Sequence, residues 1–190
     1  MATIEEIVAR LRSLSPQGLE EVHKFVENVQ RAEAQSQAAA WSFDFLANFT
    51  AATQSASRDR AGMEIKVADA ICDGVTRPAL WEHPPVSGSA IVSYLVPVPT
   101  GLDNIKLKFA IGIRDGAELP KDRVIAFRVV VNGWKLWRTV KNSHAWEESE
   151  LELPQISSDV ARIEFVTDGL GDSRWNWAVW AEPRLEGEKQ

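Results

Sequence analysis

Four tryptophans, Trp81, Trp134, Trp137 and Trp146, fall at or beside the turns of a strand-rich stretch. An indole joins a broad apolar face to a rigid ring. That suits it to stack on the C–H face of a pyranose while polar neighbours take the hydroxyls. Arg114 and Asp115, adjacent at the end of an alternating run, supply polar groups of that kind. These six residues are the candidate ligand-binding set. Core packing is the commoner fate of any single tryptophan. Trp134 and Trp137 are an odd number of residues apart, so one strand sends them to opposite faces and one of the two belongs to the core. The same parity near the end of the chain puts Trp175, Trp177 and Val179 on one side, with Asn176, Ala178 and Trp180 on the other.

Carboxylates form a second set. Asp115, Glu118 and Asp122 share one connection, Asp168 and Asp172 another, and Asp69, Asp73 and Glu182 lie near expected strand ends. Calcium collects several oxygens from such loops. A structural calcium held by Asp73 and Glu182 is therefore the one cofactor these positions suggest, although each carboxylate alone reads as a solvated turn. Catalytic patterns are absent. His23, His83 and His144 are scattered, and no phosphate-binding Gly-rich loop or metalloprotease motif occurs. A carboxylate pair could cleave a glycosidic bond, but no pair is marked by its context. Cys72 precedes Asp73, whose charge raises a thiol pKa rather than lowering it. The chain reads as a binder, not an enzyme.

Composition narrows the partners. The chain has 190 residues, with 21 Lys+Arg against 27 Asp+Glu and a formal net charge of -6. Nucleic acid is not an expected partner, because phosphate neutralisation needs a basic field and none is concentrated here. No apolar run approaches the roughly 18 residues of a membrane span. The opening residues lack the pattern of a secretory leader, which points to the cytoplasm. A single cysteine permits no internal disulfide.

The elements that must position these residues divide near Gly62. Residues 1–62 hold one of the nine prolines and one of the eight tryptophans, and they are rich in Ala, Glu and Gln. Thr3 and Glu6 form a capping box ahead of Ile4, Ile7, Val8 and Leu11, which share one helical face. Ser15 and Pro16 then start a second helix with the stripe Leu19, Val22, Phe25, Val26 and Val29. Short helices do not stand alone in water. Either the rest of the chain covers these stripes, or residues 3–30 pair with another copy, the favoured reading. Residues 1–53 are read as this hairpin segment, with 41–49 leaning to helix after an Ala-rich lead-in, and residues 54–62 as a linker.

Downstream the period changes to two. Ile105, Leu107, Phe109, Ile111 and Ile113 alternate with smaller or polar residues, as do Ile125, Phe127, Val129 and Val131. Asn132-Gly133 marks a tight hairpin turn. Further strands are expected near 63–68, 90–96, 134–140, 150–153, 163–167 and 175–183. The fold class is therefore mainly β: an antiparallel β-sandwich, a jelly roll over residues 63–186, behind an N-terminal α-helical hairpin. Residues 187–190 are read as a tail.

Cys72-Asp73-Gly74-Val75, Ala79-Leu80-Trp81-Glu82-His83-Pro84-Pro85, the run Phe109 to Gly116, Phe127-Arg128-Val129 with Asn132-Gly133, and the ending Asn176 to Leu185 follow a fixed order. That order resembles the NPCBM-like carbohydrate-binding modules among the galactose-binding-domain-like jelly rolls, over residues 72–185. The resemblance implies a jelly roll that binds glycans without catalysis, usually beside an enzyme domain. Asn176 stands where many relatives carry Asp, which keeps an acceptor but loses a charge. The expected function is lectin-like: weak glycan or glycoconjugate sites made multivalent by a homo-oligomer through the helices. The alternative is a cytoplasmic self-assembling scaffold that uses its Trp-bearing surfaces for protein–protein contacts.

Overall fold

The computed structural model describes residues 3–35, 40–154, 159–172 and 174–189. Two helices come first, α1 (Ile4–Arg12) and α2 (Pro16–Gln35). Thr3 Oγ1 accepts from the Glu6 N–H at 3.2 Å, and the Thr3 N–H donates to Glu6 Oε2 at 2.9 Å. This reciprocal pair satisfies donors that a helix start leaves open. Ser15 Oγ accepts from the Gly18 N–H at 3.1 Å at the start of α2. α2 rests on a short 3-10 turn (Phe49–Ala51) and on one edge of the sandwich. Ile7, Val8, Leu19 and Val26 nevertheless stay exposed.

The strands are β1 (Ala40–Asp44), β2 (Thr53–Ala56), β3 (Glu64–Cys72), β4 (Val75–His83), β5 (Ser89–Pro97) and β6 (Leu102–Ile113). After them come β7 (Ile125–Val131), β8 (Trp134–Lys141), β9 (Glu147–Glu152), β10 (Val160–Asp168) and β11 (Ala178–Lys189). They build two antiparallel sheets. The front sheet runs β3–β4–β11–β6–β9 with β1 beside β11, and the back sheet runs β2–β5–β10–β7–β8. Alternation does what it requires: Leu107, Phe109, Ile111 and Ile113 from β6 and Ile125, Phe127, Val129 and Val131 from β7 are buried between the layers. Trp180 fills the centre, with Phe109 and Phe127 each at 5.2 Å and Phe165 at 5.0 Å between ring centroids, all near edge-to-face. Asn132 and Gly133, with φ of 50° and 86°, close the β7–β8 hairpin. Among the described residues, no helix is long and apolar enough to cross a membrane.

Several expected boundaries are corrected. Residues 41–48 are not helical, and Phe49 enters only the short 3-10 turn. Trp41, Phe43 and Phe45 alternate into the core, and β1 pairs with the second half of β11. Residues 54–62 are only partly a linker, because β2 reaches Ala56 and pairs with β5. The sandwich therefore begins at residue 40 rather than 63. β4 has no counterpart among the strands read from alternation. It carries Pro78 and is buried on both faces in its second half, which erases the period-two signal. The last strand begins at Ala178, since Trp175 turns the chain with φ of 58°, and it runs to Lys189, so 187–189 are strand rather than tail.

β11 changes partners midway, from β4 at residues 179–181 to β1 at 184–188. Its ladder to β6 is irregular between Ala181 and Arg184, and Glu182 there has φ of 46°. A bulge of this kind re-aims a side chain. Here it turns Glu182 toward Arg77 on β4.

Candidate functional site

The outer side of the front sheet carries most of the candidate residues. Register places Lys66, Trp81, Val179 and Gly112 in one row across β3, β4, β11 and β6. At about 4.8 Å per strand, Trp81 and Gly112 stand about 10 Å apart. Ala70, Cys72, Ala79 and Val179 form a buried floor, and Trp81 and Trp146 pack on it. Gly112 is what admits Trp146. A Cβ there would stand 2.6 Å from Cys72 Sγ and 2.8 Å from Trp146 Cε3, so only a residue without a side chain lets the indole lie down on β6. Burial of the Cys72 thiol, reinforced by the charge of Asp115, pushes its pKa up to about 12. It is an inert floor atom.

Both indoles are pinned through their N–H groups. Trp81 Nε1 donates to the Ala68 carbonyl at 3.2 Å, and Trp146 Nε1 donates to the Val75 carbonyl at 2.9 Å. Cations lie against them. The Arg114 guanidinium is 3.4 Å from the Trp81 ring centroid and 5.2 Å from that of Trp177, and Lys66 Nζ is 4.0 Å from Trp81. His83 stacks on Trp81 at 5.6 Å, and burial lowers its pKa to about 4, so it is neutral there. Arg77 sits 5.5 Å over Trp146 and is neutralised by Glu148 and Glu182. The surface is thus a set of rigid indoles interleaved with guanidinium groups.

Asp115 supports this face. It accepts from the N–H groups of Asp73 at 2.8 Å and Gly74 at 2.9 Å, which tie the β3–β4 turn to the end of β6 and hold its carboxyl below the usual range. His144 Nδ1 lies 2.9 Å from the Ile113 carbonyl beside it. Asp73 sits in that turn with φ of 49°, while the carboxylate of Glu182 is occupied by Arg77 at 2.5 Å. Of the two residues expected to share a calcium ion, Glu182 pairs through its carboxylate with Arg77, and Asp73 donates its backbone N–H to Asp115. Among the described residues, no group of three His, Cys, Asp or Glu side chains is placed to hold a metal ion.

The remaining candidates lie elsewhere. Trp137 belongs to the core, 5.0 Å from Phe109. Trp134, its partner in the parity argument, is 77% exposed on the back sheet. Trp81, Trp146, Arg114 and Asp115 are therefore brought together and Trp134 and Trp137 are not. Lys66, Arg77, Gly112 and Trp177 complete the face. Alternation of Val75, Arg77, Ala79 and Trp81 would have marked Arg77 had β4 been visible as a strand.

A second concavity, of about 360 Å³, opens at one end of the sandwich between Asp122, Arg123, Leu170, Asp172, Arg174 and Trp175. Arg123 is buried there. It pairs with Asp172 at 2.6 Å and donates to Asn176 Oδ1. Asn176 thus serves a buried arginine as an acceptor, and Asp172 supplies the charge. Arg174 and the buried Arg123 hold the Asp172 carboxyl far below its ordinary range. Arg123 and Arg174 both pair with Asp172 at this end.

No protein-family model matches the chain, and no curated protein matches it. Solved structures of similar shape are carbohydrate-binding modules. Tandem CBM51 modules of a family 98 glycoside hydrolase from Streptococcus pneumoniae are 14% identical with a TM-score of 0.46, over 64% of this chain and 36% of that one. The CBM51-2 and INT domains of Clostridium perfringens ZmpB are 13% identical with a TM-score of 0.49, over 72% of this chain and 30% of that one. This chain therefore spans about a third of those two structures. A CBM51 from Clostridium perfringens GH95, solved with methyl-galactose, is 12% identical with a TM-score of 0.48, over 70% of this chain and 92% of that one.

Proposed function

We propose that the outer side of the front sheet is a non-catalytic carbohydrate-binding surface. The observation that carries this reading is the pairing of Trp81 and Trp146 on one floor, with both N–H groups consumed by backbone carbonyls. Rings fixed in this way lose little freedom when a sugar face docks, which is how a small contact retains affinity. The exposed stripe of α1 and α2 makes the protein multivalent by self-association, and joined sites gain avidity without new contacts.

Isothermal titration and a glycan array test the surface. A neutral or acidic oligosaccharide binds the wild type at millimolar concentration or below. Trp146→Ala abolishes that binding while the near-ultraviolet circular dichroism of the core persists. Absence of any sugar binding at millimolar concentration overturns the reading.

The second reading is a self-assembling building block, favoured by the exposed Trp134 indole on the opposite sheet. Light scattering separates the two: a large closed or filamentous particle supports the scaffold, a dimer to tetramer the lectin.

A further inference from the structure

We propose that the sugar taken by this surface bears an acidic group, a carboxylate or a sulfate ester, held by Arg114. The proposal rests on the carbohydrate reading above and narrows it to a class of ligand. Two arginines share the face, and they differ in their partners. Arg77 is closed by two carboxylates, Glu148 and Glu182. The Arg114 guanidinium is centred 3.4 Å from the Trp81 ring centroid and lies near Trp177, and among the described residues it has no carboxylate within ion-pair distance. The carboxylates around it are already engaged. Glu64, the acid whose field reaches Arg114, is held by Lys66 at 2.6 Å and His83 at 3.3 Å. Asp115 is spent on the Asp73 and Gly74 N–H groups.

That position over the Trp81 ring leaves the guanidinium N–H groups of Arg114 without a hydrogen-bond partner among the described residues. A planar fork in that state is suited to two parallel hydrogen bonds with a carboxylate or sulfate. With Trp81 covered by Arg114, Lys66 and His83, the half-buried Trp146 offers the sugar ring its apolar contact. Lys66 beside the same Trp81 ring is paired with Glu64, and the neutral His83 adds no charge. A neutral sugar would leave the Arg114 donors to water. An acidic one would use them.

The test is calorimetric titration of the full chain with matched sugars in gluco and galacto configuration: methyl glycosides, their uronic acids and their 6-sulfates. The acidic sugars should bind about tenfold tighter than the neutral ones, the gain expected of one charge-assisted pair. The preference should shrink as salt is raised. Arg114→Gln should remove the preference, so that acidic and neutral sugars bind the variant with the same affinity. The order of uronic acid and 6-sulfate then says which acid the fork prefers. Neutral and acidic sugars binding equally overturns the proposal and leaves the carbohydrate reading standing, as does an acidic preference that survives Arg114→Gln. No binding by any member of the panel overturns both.

Discussion

The indole of Trp146 occupies the space that a β-carbon on residue 112 would need: a Cβ built on Gly112 would stand 2.8 Å from Trp146 Cε3. The same Cβ would stand 2.6 Å from Cys72 Sγ, in the buried floor beneath the ring. Trp146 is the member of this trio that can move, since it comes from a connection and is only half-buried, whereas Cys72 is locked in β3. Gly112→Ala should therefore lift Trp146 off the sheet. The expected cost in stability is about 1–3 kcal/mol, read by denaturant unfolding. Sugar affinity should fall together with it. The Cys72 thiol, unreactive in the wild type, should become titratable by a thiol reagent at pH 8 once the indole is displaced. A thiol that stays silent in Gly112→Ala would mean that the ring does not cover it.

The second prediction concerns a carboxyl buried in the sandwich. Glu82 is fully buried, its Oε2 accepts from Trp180 Nε1 at 2.6 Å, and the Val92 backbone also bonds the carboxyl. Burial raises its pKa well above the ordinary carboxyl value, against the smaller effect of the Trp180 hydrogen bond. The folded state therefore holds a proton that the unfolded state releases above pH 4.5. Stability must then decline as pH rises from that point toward the folded pKa. Glu82→Gln keeps an acceptor for Trp180 and removes the titration. The variant should be more stable than wild type at pH 8, by on the order of 2 kcal/mol, and the two should converge near pH 4. Thermal unfolding across that range checks it. Parallel pH profiles would rule out Glu82 as the source.

A third prediction belongs to the end of the sandwich. The buried Arg123 has its charge met by Asp172, while Asn176 gives only a neutral oxygen. Asp172→Asn strands that guanidinium in the fold. Asp172 is partly exposed, so solvent screening trims the loss, and the variant should be less stable than wild type at pH 7. Because its pKa lies below the ordinary value near 3.8, its contribution is complete above that pH and is lost as pH falls below it. The wild type should thus show an acid-dependent loss that the variant lacks. Urea unfolding at pH 7 and pH 3 measures both.

How much of this was legible in the sequence depends on which faces are wet. β7 keeps Arg128 and Val130 half-buried on its outer side, and β6, buried on both sides from Phe109, alternates large residues with Ala110 and Gly112, so both strands are plain in the sequence. β4 meets the core through Leu80 and a second small cluster through Ala79, and two buried faces leave no period to read. Trp41, Phe43 and Phe45 do alternate, but the alanines before them outweighed that signal. For the site, parity assigned one of Trp134 and Trp137 to the core without saying which. The Gly112–Trp146 and Arg114–Trp81 contacts join residues more than thirty positions apart, and no local pattern encodes them. The odd-even split of Val179 and Trp180 held, because it needs only that the segment be a strand.

The last prediction concerns α1 and α2. Ile7, Val8, Leu19 and Val26 are each more than a third exposed, on two helices that need burial of an apolar stripe to be stable. α2 is supported by the 3-10 turn and β5, so its free stripe is not needed to hold it against the sandwich. A second copy of the same hairpin offers a matching surface, and twofold pairing closes it without further growth. Sedimentation velocity should find a dimer or a small closed oligomer for the wild type. Val26→Lys, which places a charge in the stripe but leaves the capping residues Thr3 and Ser15 untouched, should shift the protein to monomer. Monosaccharide affinity per site should stay the same, because the front sheet is unaltered, whereas binding to a multivalent glycan surface should fall by about a hundredfold. A wild type that sediments as a monomer at all concentrations would remove the helices from the account of avidity and return their stripe to a contact with some other partner.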